Sequence, residues 1–424
     1  MGPIRLQAGI KRGNMTVYVL GFVFTMLFST FVPQAQPFIL TEILHIPTEI
    51  QGQLSGTLGL AQVIIGLIMP SIWGTFSDKA GRRIVYAIGF FLAACGLILY
   101  PLAGTIVALF LFRMVFAAGS NAANTMSNAL LADYIDNRDR GKAMGITAMG
   151  GGIGALLTVF LFLRLPSLFQ NAGASAVNSG RFTYWIVAAI GLLATALVFT
   201  GLVGKTRRQA EDKRSAIQIA RDALQAATRD PAISLAYGVN FAASGAVSVV
   251  GTFFTLWVVT YGTVQAGLTS AEALAKAGMI MGISQMMGLI ASPIFGILSD
   301  KIGRIRAVVL ATGLTAIIFT ATLLIGNPLS GVMIVLGLFI GFVQISGVIT
   351  GGALIAQQSP ESVRGSVMGF YGFCGSLGIM LAFLLGGWLF DHWSYQGPFI
   401  LVAALSSGVA VWGLIVDRKI KQKG

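Results

Sequence analysis

Arg113 is the one ionisable side chain that falls in the middle of a long apolar run, residues 105–132. It lies about nine residues from the start of that run, roughly 13 Å deep at the α-helical rise. A lone guanidinium in hydrocarbon must be paired or must line water, so its default reading is functional: holding an anionic solute or steering protons. The structural alternative is a bridge between helices through backbone carbonyls. The 15 Asp and Glu residues behave differently, since all fall in turns or at the ends of apolar runs. Asp133, at the far end of the same run, is the candidate proton-coupling group. Amides form the second set. Gln34, Gln62, Asn121, Asn124, Asn128, Asn240, Gln285 and Gln344 sit inside apolar runs, where lipid is a poor solvent for them. They are expected to face the protein interior or water and to line a solute cavity, with interhelical hydrogen bonding as the competing role. Asn121, Asn124 and Asn128 recur at i, i+3 and i+7, which puts them on one helix face.

Other chemistry is missing. The only histidines, His45 and His392, lie outside the apolar runs, with no cysteine partners for a metal and no triad-like grouping. No phosphate-cradling loop precedes a Lys and a Ser or Thr. The expectation is therefore no enzyme, no metal and no cofactor. Cys95 and Cys374 both lie inside apolar runs and read as free, buried thiols. Met279, Met281, Met286 and Met287 share one run and could form an adaptable apolar lining, although gap-filling is the commoner use of methionine.

The charged residues are organised by repetition. Gly74, Asp78, Gly81 and Arg82 recur in register as Gly296, Asp300, Gly303 and Arg304, 222 residues on (Asp78 to Asp300). Arg140 and Arg364, each followed by glycine and by Met-Gly four residues later, repeat at 224. Two motifs at nearly one offset indicate duplicated halves. The glycines should allow close helix approach at Gly74 and a tight reversal at Gly81. Asp78 can accept hydrogen bonds from free amides at a helix N-terminus. A merely topogenic charged turn is the blander reading.

The elements that position these residues are long apolar helices. Hydrophobic residues make up 55% of the chain and charged ones 10%, too little polar surface for a soluble domain. Runs near 15–40, 53–76, 84–102, 105–132, 142–166, 182–203, 232–259, 275–298, 306–325, 329–356, 365–390 and 397–416 are long enough to cross about 30 Å of hydrocarbon. With the N-terminus inside, 24 of the 28 Lys and Arg residues fall on one side and only Arg164, Arg181 and Lys276 on the other. That asymmetry predicts cytoplasmic termini and explains the net charge of +13 without nucleic acid. Residues 1–204 and 231–424 read as six-span halves, joined by a cytoplasmic linker, 205–230. In the linker Ile217, Ala220, Leu224 and Ala227 have helical spacing. Asp230 and Pro231 read as an N-cap and first-turn proline. Six spans per half make the repeats parallel about an axis along the membrane normal. Spans 3, 6, 9 and 12 carry no Asn or Gln and read as the outer helices. The fold class is an all-α membrane protein of twelve spans.

The turns after spans 2 and 8 resemble the signature loop of the major facilitator superfamily. Arg113 followed by Gly119 resembles a second motif of that family, with Ala117 where glycine is often found. The resemblance covers the whole chain and implies two six-helix bundles rocking around a central cavity by alternating access. It implies that Asp78 faces Arg364-Gly365 and, by the repeat, that Asp300 faces Arg140-Gly141. Together they would be a pair of charge clasps closing the cytoplasmic side. Span 5 is rich in glycine but lacks the Gly-Pro that resemblance to drug antiporters would imply.

Three functions follow as expectations. The first is a secondary transporter in the plasma (inner) membrane exporting an amphiphilic compound or metabolite. The second is an importer of a small metabolite or organic anion with Arg113 as its anchor. The third is a receptor or lipid-moving protein without solute flux. The partners expected are a small-molecule substrate, the lipid bilayer and protons as candidate coupling ion, with no nucleic acid and a functional monomer.

Overall fold

The computed structural model describes residues 5–7, 9–136, 139–203 and 216–422. Linker residues 205–215 lie outside them, as do the side chains of Arg140 and Ala216. Twelve described helices are long and apolar enough to cross a membrane. They are span 1 (Arg12–Ile43), span 2 (Thr48–Ala80), span 3 (Arg82–Leu102), span 4 (Ile106–Tyr134), span 5 (Lys142–Asn171) and span 6 (Ala176–Gly201). The second half supplies span 7 (Pro231–Val264), span 8 (Ser270–Ile302), span 9 (Arg304–Leu324), span 10 (Gly331–Gln358), span 11 (Glu361–His392) and span 12 (Gly397–Lys419).

The number of spans agrees with the hydropathy reading; their ends run further. Span 2 was expected to stop near residue 76, yet its helix continues to Ala80 and span 3 starts at Arg82. The whole reversal is therefore made by Gly81, at φ 95° and ψ 146°. Gly303 does the same between spans 8 and 9, at φ 89° and ψ 146°. A Cβ is disfavoured at that φ, which is why both copies carry glycine there. The expectation for Gly74 fails: a Cβ built on Gly74 or Gly296 meets open space, so neither glycine serves a close helix approach.

Local signals set the helix starts. Asp230 caps span 7 by accepting from the Ala232 amide at 2.8 Å, with Pro231 in the first turn. Such a cap satisfies one of the orphan amides and contributes about 1 kcal/mol. Thr105 caps span 4 by accepting from the Ala108 amide at 3.2 Å.

The chain divides into two compact units. The first comprises Met1–Pro47, Ala61–Ala210 and Gly267–Met279; the second comprises Thr48–Leu60, Glu211–Ala266 and Ile280–Gly424. The initial segment of span 2 thus groups with the second unit, and that of span 8 with the first. Inside the first unit, Tyr18 donates to the Ser127 carbonyl at 3.0 Å, while the Tyr86 hydroxyl bonds Ser127 Oγ at 2.8 Å and Thr25 Oγ1 at 3.1 Å. Spans 1, 3 and 4 are tied by a buried network whose members satisfy one another. In the second unit, Leu235, Val239, Leu354, Val367 and Val416 form a buried cluster. The helix Ala216–Arg229 docks on it through Ala226 and leaves Ile217 and Leu224 exposed.

Candidate functional site: repeated turns and amide faces

The two repeated turns share a backbone but differ in their ion pairing. In the first, the buried Arg82 guanidinium pairs with Asp78 at 3.3 Å and with Asp133 at 3.4 Å, and it also donates to Ser77 Oγ. The Asp133 side chain is 6% exposed, so this carboxylate, expected as a coupling group, sits against a cation inside the protein. In the second turn, Arg304 pairs with Asp300 at 2.5 Å and donates to Ser299 Oγ at 3.1 Å and to Gln357 Oε1 at 3.3 Å. Gln357 stands at the position that Asp133 occupies in the first half, 224 residues on. The Asp300 side chain is 65% exposed. One turn holds a buried ionic triad; the other holds a solvated pair.

Each signature aspartate is therefore held by the arginine four residues ahead of it. Arg364 donates to the Ala356 carbonyl at 3.2 Å, tying the start of span 11 to the end of span 10. Just before Arg140, Asp139 bonds the Lys142 ammonium at 2.8 Å and accepts from the Arg5 amide at 3.0 Å. The Lys142 ammonium, with the Arg5 amide, holds the Asp139 carboxyl below the usual carboxylate range.

The amides separate into two groups. Gln62, Asn121, Asn124 and Gln285 are half-buried and Asn128 is exposed. Asn121, Asn124 and Asn128 each donate to the carbonyl four residues back, at 3.1 Å. Asn124 also reaches Ser29 Oγ of span 1 at 3.3 Å. The NH2 groups of these amides are thus turned back on their own helix, and the Asn121 oxygen lies beside Gly66 of span 2, 3.4 Å from where a Cβ on that glycine would stand. Gln34, Asn240 and Gln344 are buried. Asn240 donates to the Tyr371 carbonyl at 2.7 Å and accepts from Ser244 at 3.3 Å. Gly375 leaves the space for it. Asn240 is a tie between spans 7 and 11.

Arg113 is 2% exposed, packed inside the first unit where a cavity wall was expected. Its guanidinium carbon lies 5.9 Å from the Tyr100 ring centroid and 5.8 Å from that of Phe116. Its Nε and one terminal nitrogen have no hydrogen-bond partner, and neither has the nearby Tyr184 hydroxyl. Tyr100 stacks on Tyr184 at 5.6 Å and donates to Gln36 Oε1 at 3.3 Å. The sequence reading missed both tyrosines because it counted only amides in spans 3 and 6. Met144, Met149 and Ile153 of span 5 are exposed, as are Met279 and Met286 of span 8. Met281, expected beside them, is buried.

Among the described residues, no group of three or more His, Cys, Asp or Glu could hold a metal ion. The half-buried amides are neutral groups on apolar spans, whereas the mid-span cation Arg113 is buried among aromatic rings.

Comparison with known proteins bears on the family and the fold. The family described as Major Facilitator Superfamily matches residues 17–348 and 273–423. The magnetosome protein MamH of Paramagnetospirillum magneticum is 26% identical, over 97% of this chain and 94% of that protein. The magnetosome protein MamZ of the same species is 23% identical, over 87% of this chain and 57% of that protein. Among solved structures, a mutant of the nucleoside transporter NupG superposes with a TM-score of 0.76 at 14% identity, covering 96% of this chain and 100% of that one. A bacterial homologue of the human lysosomal transporter Spinster gives 0.71 at 15% identity, covering 97% and 98%. At such identities the likeness is one of fold.

Proposed function

Because this chain belongs to the major facilitator superfamily, we propose that its solute is an uncharged or amphiphilic small molecule, moved outward across the inner membrane by alternating access. The observation that carries this reading is the stripe Asn121, Asn124 and Asn128. It offers neutral acceptors at half-exposed positions. Such a surface can hold a solute that brings donors and apolar area; it offers no counter-ion to a fully charged one. The importer reading needed Arg113 as an anchor, and Arg113 is packed under Tyr100 and Phe116. Both termini are cytoplasmic in this reading, from the 24 basic residues on one side. The chain works as a monomer, with the two charge clasps as its cytoplasmic closure.

The test is accumulation of a lipophilic fluorescent probe without net charge in energised cells. Cells making the wild-type chain should accumulate less than cells without it, and a protonophore should abolish the difference. Asn124→Leu with Asn128→Leu should slow efflux about thirty-fold, the effect of losing two hydrogen bonds of about 1 kcal/mol each. Equal accumulation with and without the chain would overturn the outward, broad-specificity reading.

A second reading is favoured by the similarity to MamH along nearly the whole of both chains. In it the chain serves a magnetosome membrane. A fluorescently tagged chain that co-purifies with magnetosomes would establish this location, and one confined to the cell envelope would exclude it.

A further inference from the structure

We propose that Asp391 is a proton-released latch on the membrane face opposite the termini, holding the first segment of span 2 to the end of span 11. The idea rests on the transporter reading, in which that face must open during the cycle. Asp391 Oδ1 accepts from the Gly52 amide at 2.8 Å, and Oδ2 accepts from the Gln53 amide at 2.7 Å. Both partners belong to the second compact unit. Below these bonds the two helices meet backbone to backbone. A Cβ on Gly56 would collide with the Phe383 carbonyl oxygen, and one on Gly387 would lie 2.6 Å from the Gly52 carbonyl oxygen. At the glycines the contact is backbone against backbone, and the two charge-assisted bonds of the carboxylate add a directional attachment to it.

The internal repeat shows what is special about Asp391. Gly278 is the counterpart of Gly56, 222 residues on, and a Cβ on it would lie 2.5 Å from the Val159 carbonyl oxygen. Val159 is the counterpart of Phe383 at the 224-residue offset (Val159 to Phe383). The glycine contact is thus built twice, once in each unit. The carboxylate is built once: the counterpart of Asp391 at that offset is Ser167. The carboxylate that accepts the facing amides is thus present in the second-unit contact and replaced by serine in the first.

Titratable groups around Asp391 define the expected response. Glu49 approaches from span 2, His392 follows on span 11, and Tyr395 lies in the next turn. His392 stacks on Trp388 at 5.1 Å, and its Nδ1 lies 3.3 Å from Gln53 Nε2. Release belongs to protonation of the carboxyl that accepts the two amides. Asp391 is half-buried, beside the exposed Gln53 and His392, so protons reach it from water. Protonation removes the negative charge and one acceptor, leaving a weaker, single bond.

Electron–electron distance measurement in lipid nanodiscs tests this. Spin labels go on Thr57→Cys and Leu324→Cys, both exposed and both in the second unit, after Cys95 and Cys374 are replaced by alanine. Acidification from about pH 7.5 to about pH 4 should raise the weight of a longer-distance population about ten-fold, across the carboxylate range. Asp391→Asn should show that population already at the higher pH and lose the response. Asp391→Glu should keep it, and so should His392→Gln. A pH-independent distance in the parent, a response that survives Asp391→Asn, or one that vanishes in His392→Gln would overturn the proposal. The readout is a distance, so a wrong solute or direction under the transport reading leaves it untouched.

Discussion

Arg82→Met lowers stability by about 3–5 kcal/mol, whereas Arg304→Met costs about 1 kcal/mol or less, although both arginines open the same repeated turn. The difference comes from what each leaves behind. Removing Arg82 takes a cation from Asp133, whose side chain is 6% exposed, and breaking a buried ion pair by removing one partner is among the costlier single defects. Removing Arg304 leaves Asp300 at 65% exposure, where water replaces the guanidinium. The bonds themselves are long in the first turn, at 3.3 and 3.4 Å, and short in the second, at 2.5 Å. Distance alone would rank them the other way, so the experiment separates burial from geometry. The measurement is the thermal unfolding midpoint in one detergent for the parent and both variants. Adding Asp133→Asn to Arg82→Met should recover a large part of the loss, because a neutral amide tolerates the site better. Equal midpoint shifts for the two arginine variants would remove the buried-triad account.

That asymmetry marks where sequence reasoning stops. The twelve spans, the Asp230 cap and the reversals at Gly81 and Gly303 were all legible, because each depends on local composition or on a backbone demand. Pairing was less so. The repeat implies like partners for Asp78 and Asp300, but Asp133 and Gln357 differ at the equivalent position, and only the folded chain shows that each faces an arginine. Amides in apolar runs are expected to avoid lipid, yet type alone cannot separate the interhelical tie at Asn240 from the half-buried position of Asn124. That depends on the neighbour: Gly375 leaves room for Asn240 to reach the Tyr371 carbonyl. Asp391 went unnoticed because it ends a span, where carboxylates are ordinary. Its signal was the mismatch with Ser167 in an otherwise matched repeat.

Arg113 gives the sharpest contrast between stability and transport. Arg113→Met should raise the thermal midpoint, by the equivalent of about 1–4 kcal/mol, and should reduce transport at least about ten-fold. Burying a guanidinium costs several kcal/mol even after relaxation. Stacking over Tyr100 and Phe116 at nearly 6 Å returns at most about 2 kcal/mol of that. Two of its nitrogens find no acceptor, so hydrogen bonding does not close the gap. Methionine fills much the same volume and needs no acceptor. Arg113→Ala should be worse than Arg113→Met, because its cavity beneath Tyr100 and Phe116 adds a penalty of about 2–5 kcal/mol. Arg113→Lys keeps the charge but loses the planar stack, so it should fall between the two in stability. Thermal midpoints and efflux rates measured on the same preparations decide the matter. A methionine variant that is much less stable would make Arg113 a structural bridge, and one that is stable and transports at the parent rate would leave it without a role. The expected combination, a firmer fold with a slower cycle, would mean that the first unit carries its buried charge for the sake of movement.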